Sequence, residues 1–407
     1  LAKARITSSF KSTWPGIDTA PVVAANGKSG FQDIYMRLFR VYQLLLLALL
    51  SIVPLAWGQA FPRLELMGQP VPSGSGARAL GQGNAFIAVA DDATAASWNP
   101  AGLAQLEKAE LSFAAESLRL RSCHNYRRHP ESETSSAAQL HGLNYFSFVQ
   151  PLQLAGRHAV MSLSYFRQYE FNRLSSYPIS ETYGIVQKDS TRELVGSGSL
   201  SALTSALAVD LWELLSLGIS LNIWNDSLTD SSRFSGREEY HSTTTISPPG
   251  WGFSLISTEH DRSEHHLTVD KGYSLTLGML WRANSAWSFG MVVKPPYSLQ
   301  LKHEYRRFYA GSNQAPADNR CRDNGQLHMP LMIGSGLAYR FSDALMLAVD
   351  FQWTQWSRYR YRINGMTVNP LDGRAQSVGR TSDTIALRSG LEYVIIRKKT
   401  LLPLRCG

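Results

Sequence analysis

The chain has 407 residues, a formal net charge of +8, 18% charged side chains and 11% aromatic ones. Soluble domains carry about 25% charge, and no run of about 20 apolar residues follows the first sixty positions, which excludes transmembrane helices from the body of the chain. Aromatic and charge-poor without long apolar runs is the footprint of a membrane barrel, though composition alone also fits a large soluble β-protein.

Residues 1–35 begin with Leu, precede the first sensible start at Met36 and show no periodicity. They are expected to be upstream translation and to take no part in the fold. Residues 36–58 have the three-part layout of a secretory signal peptide. Arg37 and Arg40 form the basic start, Val41 to Leu55 the apolar centre, and Ala56-Trp57-Gly58 the small-residue cleavage site. Cleavage after Ala60 is the near alternative. Pro54 and the short apolar core argue against a membrane anchor. Residues 1–35 carry a net +2 and the two arginines a further +2, which leaves +4 for the mature chain. So mild a basic balance gives no reason to expect nucleic acid as a partner.

Residues 59–106 are of another kind. Gly74-Ser75-Gly76-Ala77-Arg78-Ala79-Leu80-Gly81-Gln82-Gly83-Asn84-Ala85-Phe86 is followed by Ala90-Asp91-Asp92-Ala93 and by Trp98-Asn99-Pro100-Ala101-Gly102-Leu103. Small residues dominate and strand alternation is missing. Glycines permit tight turns and close backbone approach, which suits a confined space, and Asn99-Pro100 reads as a turn. A small soluble cap or a flexible linker is the plainer alternative.

Residues 107–407 carry the strand signal. Leu345, Leu347, Val349, Phe351 and Trp353 alternate with Met346, Ala348, Asp350 and Gln352, a period of two with one large apolar face. Similar patterns occur at 216–223, 273–282 and 384–393, with noisier ones near 110–121, 142–152, 158–169, 198–210, 287–296 and 330–341. Tight connections near 154–157, 211–213, 282–286, 341–343 and 397–399 alternate with long polar ones near 122–140, 170–196, 229–271, 297–328 and 358–383. Short turns at one end and long loops at the other fit an outer-membrane barrel better than a sandwich. Trp353, Trp356, Tyr359 and Tyr361 are expected in an interfacial girdle. The count is ten strands, with an eleventh beginning at Leu401. A barrel in lipid must close, so the expected fold is an all-β transmembrane antiparallel barrel with further C-terminal strands missing from the sequence.

The glycine-rich segment resembles the N-terminal region of the FadL/TodX family of outer-membrane transporters for hydrophobic compounds. The motifs that carry the resemblance are Gly76-Ala77-Arg78-Ala79, Gly81-x-Gly83-x-Ala85-Phe86, Ala90-Asp91-Asp92-Ala93 and Trp98-Asn99-Pro100-Ala101-Gly102. Support comes from Leu345-x-Leu347-Ala348-x-Asp350, Trp353-Thr354-x-Trp356-Ser357 and Leu387-Arg388-x-Gly390-x-Glu392-Tyr393. The resemblance covers roughly residues 61–407. It implies a fourteen-stranded barrel in the bacterial outer membrane, plugged by an N-terminal luminal hatch at about 59–106. It also implies passive diffusion of a hydrophobic ligand, a long-chain fatty acid or aromatic hydrocarbon, which leaves through a lateral opening or past the hatch. Gly76, Arg78, Gly81, Gly83, Asp91, Asp92, Asn99, Pro100 and Ala101 are the implied hatch and gating residues. Outer-membrane lipids and lipopolysaccharide are the implied surroundings, with no cofactor and no catalytic site.

Other constellations are weaker. Glu264-His265-His266 has no partner at helical spacing and is expected to be a solvated loop rather than a metal site. Arg127-Arg128-His129 can meet a fatty-acid carboxylate or a lipopolysaccharide phosphate, or simply solvate a loop. Cys123 and Cys321 lie in polar stretches of an exported chain, where a disulfide and free thiols are both open. The competing function is an assembly or secretion-associated barrel without transport. An outer-membrane lipase is the third reading, and no Ser/His pair supports it.

Overall fold

The computed structural model describes residues 74–407 apart from 127–128, 251, 313, 372, 378–380 and 399, and apart from the side chains at 118, 120, 124 and 140. The expected signal peptide, the first part of the glycine-rich segment and Arg127-Arg128 lie outside the described residues. No described helix is long and apolar enough to cross a membrane.

Alternating large and small residues make strands because successive side chains of an extended backbone point to opposite faces. Among the described residues seventeen strands share one sheet. They are β1 (Glu110–Tyr126), β2 (His129–Leu154), β3 (Arg157–Glu170), β4 (Arg173–Tyr183), β5 (Val186–Trp212), β6 (Leu215–Trp224), β7 (Arg233–Ile246), β8 (Leu255–Arg282) and β9 (Trp287–Lys294). Then follow β10 (Tyr297–Gly311), β11 (Gln314–Met329), β12 (Met332–Ser342), β13 (Leu345–Thr354), β14 (Arg360–Ile363), β15 (Met366–Val368), β16 (Thr384–Arg397) and β17 (Thr400–Cys406). Every ladder is antiparallel. One run of pairing goes β1-β2-β3-β5-β6-β8-β9-β12-β13-β16-β17. A second run, formed by the far ends of the long strands, goes β4-β5-β7-β8-β10-β11-β14-β15.

The first run is the expected wall, and its tight turns fall where the sequence puts them. Ala155 and Gly156 take φ of 50° and 78°, the left-handed pair that a two-residue hairpin turn requires. Its outer face is apolar: Leu217, Ile219, Leu221, Leu275, Leu277, Phe289 and Met291 are all exposed, and Leu387 reaches 74%. A surface this apolar and this contiguous calls for lipid rather than water.

The second run corrects the sequence reading. Most described residues of the long polar segments at 122–140, 170–196, 229–271 and 297–328 are in strands that prolong the wall, the first of them as the far ends of β1 and β2. Cross-strand ion pairs help hold their register: Arg306 with Asp318 at 2.8 Å, Arg307 with Asp261 at 2.6 Å and Arg192 with Glu238 at 2.6 Å. The polarity of these segments reflects charge on both faces of the extension: by the two-residue period Arg306 lies on one face, and Glu238 and Asp261 on the face of Phe234. Charge by itself does not forbid a strand.

The two runs meet at a belt of breaks. β3 gives way to β4 at Phe171-Asn172, and β6 to β7 across a short helix, Asp226–Thr229. Pro295-Pro296 separates β9 from β10, and Pro330-Leu331 separates β11 from β12. A 3-10 turn, Trp356–Arg358, separates β13 from β14. Proline has no amide to give the ladder, so such breaks are where prolines collect.

The girdle also differs from expectation. Trp356, Tyr359 and Tyr361 are buried at 4%, 4% and 1% exposure, because the breaks turn them inward. The aromatic cluster at the turn end is formed instead by Trp281, Trp287, Phe289, Tyr339 and Phe341, with Trp287 and Tyr339 4.4 Å apart. Cys123 and Cys321 are free and exposed.

Cysteine labelling tests this orientation. In a background with Cys123, Cys321 and Cys406 changed to serine, an impermeant maleimide on intact cells is expected to mark Ser247→Cys, beyond β7. It should leave Ser285→Cys, in a tight turn, unmarked. Equal marking of both would remove the membrane assignment.

Candidate functional site

The small-residue segment is short helices and turns. Ala77–Gly81 and Ala95–Trp98 are α-helical, and Pro100–Gln105 is 3-10. Asn99-Pro100, expected as a turn, starts that last helix. The Asn99 side chain accepts a hydrogen bond from Ala101 N at 3.2 Å, and proline at the first helical position has no amide to waste. The segment is no flexible linker. Ala85, Phe86, Ala90, Ala95 and Leu103 are all but inaccessible and form one core with Val149, Val160, Ala208 and Ala348 of the wall.

The segment touches the wall from one end to the other. Tyr145 OH of β2 donates to Ala93 O at 2.7 Å. Asn99 Nδ2 donates to Met279 O of β8 at 3.0 Å and to Ile87 O at 2.9 Å. Asp350 of β13, wholly buried, accepts from Phe86 N at 2.7 Å and Ile87 N at 2.9 Å. Glu392 of β16 accepts from Arg78 Nε at 3.0 Å, Arg78 Nη2 at 2.9 Å and Gln82 Nε2 at 3.1 Å. A compact segment can reach both β2 and β16 only if the wall curls around it.

The wall makes room by omitting side chains. Ala208 stands opposite Gly218 and Gly218 opposite Gly278. Gly290 faces Gly336, and Ala348 faces Gly390. A Cβ at Gly278 would lie 2.1 Å from Asn99 Oδ1, one at Gly218 2.2 Å from Ala101 N, one at Gly290 2.3 Å from Ile87 O and one at Gly390 2.3 Å from Gln82 O. These glycines form a band on the inner face at which the segment's backbone docks.

The expected residues divide into two groups. Arg78 pairs with both Asp91 and Glu392. Burial, the largest influence, works to lower the Arg78 pKa, but Asp91 and Glu392 together outweigh it and raise it. Gly81 packs on Arg405, and Gly83 on Ser389 and Gly407. Asn99, Pro100 and Ala101 sit apart from these, over Gly218 and Gly278. Asp92 joins neither group; it accepts from Thr94 N at 2.9 Å. Gly76 takes φ of 100° against Thr94.

Three things escaped the sequence reading. Asp350 and Glu392 anchor the segment; their signal was an acid on the otherwise small inner face of a strand. The third is a second core at the belt of breaks. Phe166, Phe171, Trp224, Phe234, Met329, Trp356, Tyr359 and Tyr361 belong to it, with Tyr169 and Tyr297 against it. Trp224 stacks on Tyr297 at 5.8 Å and 9°, and meets Phe166 edge-on at 5.9 Å. These aromatics come from five strands and two breaks, and only the breaks aim them together. His265, expected in a solvated loop, is instead buried, with Nδ1 3.0 Å from His303 Nε2. Burial above all, then His303 and His266, pushes its pKa down to about 3.

A family model described as outer membrane protein transport protein (OMPP1/FadL/TodX) matches residues 72–393. The chain belongs to that family. Membership, with the lipid-facing band, makes this FadL/TodX chain a bacterial outer-membrane β-protein of barrel type, and a transporter rather than an enzyme. Solved structures to which the chain is similar include a Pseudomonas aeruginosa FadL homologue, 15% identical with a TM-score of 0.49, covering 80% of this chain and 77% of that one. The Pseudomonas putida toluene transporter TodX is 12% identical with a TM-score of 0.49, covering 82% and 83%. The Ralstonia pickettii toluene transporter TbuX is 13% identical with a TM-score of 0.41, covering 79% and 82%. No curated protein matches the chain.

Proposed function

We propose that the protein carries hydrophobic small molecules, aromatic hydrocarbons or long-chain fatty acids, passively across the outer membrane through its interior. Residues 59–106 act as the hatch, in a barrel surrounded by outer-membrane lipid and lipopolysaccharide. The observation that carries this reading is the aromatic core at the belt of breaks, beside the glycine band. Trp224, Tyr297, Phe166 and Tyr359 offer the flat apolar surfaces an aromatic or acyl ligand needs. Asn99, Pro100 and Ala101 gate the route below, with Gly76, Arg78, Gly81, Gly83, Asp91 and Asp92 holding the hatch in place. Arg78 is the latch to the wall, since it bonds Asp91 within the hatch and Glu392 outside it.

The test is flux into proteoliposomes. Vesicles bearing the protein should take up a monoaromatic hydrocarbon or a fatty acid faster than empty vesicles, with no energy source and little leak of sugars. Sugar leak without faster hydrophobic uptake would describe an open pore and defeat the proposal.

A further inference from the structure

Two histidines and a glutamate meet on the extension above the apolar band. β7 and β8 are in register here, so His241 stands directly opposite His260. Glu239 lies two residues before His241 and therefore on the same face. That face is opposite to the one that buries Phe234 and Ser242. The two imidazoles stack, with centroids 4.1 Å apart and planes 17° apart. Phe308 closes on the His260 ring edge-on at 5.6 Å.

Both histidines aim the same atom at the same point. His260 Nε2 is 2.9 Å from Glu239 Oε1, and His241 Nε2 is 3.3 Å from that same oxygen. All three ligand atoms lie within 4.8 Å of one another. Ligands on a tetrahedral ion with bonds of about 2.1 Å stand about 3.4 Å apart, so small side-chain movements bring this set to metal spacing. Arg237 does not block it. Its guanidinium is 3.8 Å from Oε2, the other oxygen of Glu239, and pairs more closely with Glu193 at 2.9 Å. Beside the cluster is a cleft of about 870 Å³, whose lining includes Glu131 and Asp189 as well as both histidines. Its acids give an approaching cation a favourable potential.

We propose that Glu239, His241 and His260 bind a divalent transition-metal cation. Two imidazoles and one carboxylate with a fourth position open to water form the donor set that suits zinc. On binding, each Nε2 gives its lone pair to the metal and its proton to Nδ1 or to solvent, and the carboxylate oxygen turns from hydrogen-bond acceptor to ligand. The site is independent of the transport route, because its side chains lie on the opposite face from the aromatic core.

The test uses the full chain in detergent, with Cys123, Cys321 and Cys406 changed to serine to remove competing thiols. Titration with Co²⁺ alone should produce the visible absorption of a tetrahedral site at one equivalent, and Zn²⁺ should abolish it. His241→Ala and His260→Ala should each weaken binding by at least ~100-fold, the upper end of what loss of a ligand's supporting partner costs. His266→Ala should leave it unchanged. Circular dichroism confirms that each variant is folded, and Gln variants replace any Ala variant that is not. Absence of the cobalt band in the parent protein, or equal affinity in the His241→Ala/His260→Ala double variant, would overturn the proposal.

Discussion

Gly278→Val is expected to raise the ion conductance of the protein several-fold or more. Valine suits a strand, and the β6–β8 ladder needs nothing from the side chain. The added Cβ, however, would lie 2.1 Å from Asn99 Oδ1, 2.8 Å from Pro100 Cδ and 3.0 Å from Ala101 N. The wall is fixed by its hydrogen bonds, so the segment must give way. Asn99 then loses its bonds to Met279 O and Ile87 O. Two buried bonds at about 1–3 kcal/mol for each group left unpaired make this a loss of about 2–6 kcal/mol in docking. Gly218→Val, aimed at Ala101 N, should do the same. Leu277→Val, the outward neighbour, should do nothing. Conductance in planar bilayers is the measurement. Parent-like conductance in both glycine variants would show that the segment does not fill the passage.

The second large effect is expected at Trp224. Its side chain is fully buried, stacks on Tyr297 and donates from Nε1 to Ser274 Oγ at 2.9 Å. Trp224→Ala should cost about 3–5 kcal/mol in stability, as large-to-small core changes do. If the aromatic core is also where ligand binds, affinity for a monoaromatic hydrocarbon should fall by about 2- to 12-fold, the equivalent of the about 0.5–1.5 kcal/mol that an aromatic pair contributes beyond area burial. Val160→Ala, buried in the other core, is the control: it should lower stability while leaving affinity alone. Parent-like affinity in folded Trp224→Ala would move the binding site elsewhere.

The strands were legible because the outer face must be apolar to meet lipid, and a period of two shows that directly. Leu217 to Ile223 and Leu345 to Trp353 display it without help from any long-range contact. The tight turns were legible for a similar local reason, as at Ala155-Gly156. The extensions were hidden by their charges. Arg306, Arg307 and Asp318 look like loop residues until their partners on neighbouring strands are known. Tyr359 and Tyr361 were misplaced because their inward turn depends on the break at Trp356–Arg358, and a two-residue period cannot carry across a break. Within the segment, Asn99-Pro100-Ala101 was visible as a motif. Its seat on Gly218 and Gly278 was not, since the glycines lie more than a hundred residues away and become a band only through strand register. Asp350 and Glu392 were on the page as exceptions to a pattern, and an exception gains meaning only when a donor is found for it.

The belt of breaks has a mechanical consequence. A continuous hydrogen-bonded ladder is stiff, and a push at one end is felt at the other. Five interruptions at one level remove that stiffness along a single line around the wall, at Phe171-Asn172, Asp226–Thr229, Pro295-Pro296, Pro330-Leu331 and Trp356–Arg358. The outer part can therefore tilt about this line as a hinge while the lipid-embedded part stays still. β1, β2, β5 and β8 cross the line unbroken and are the straps that tie the outer part to the wall.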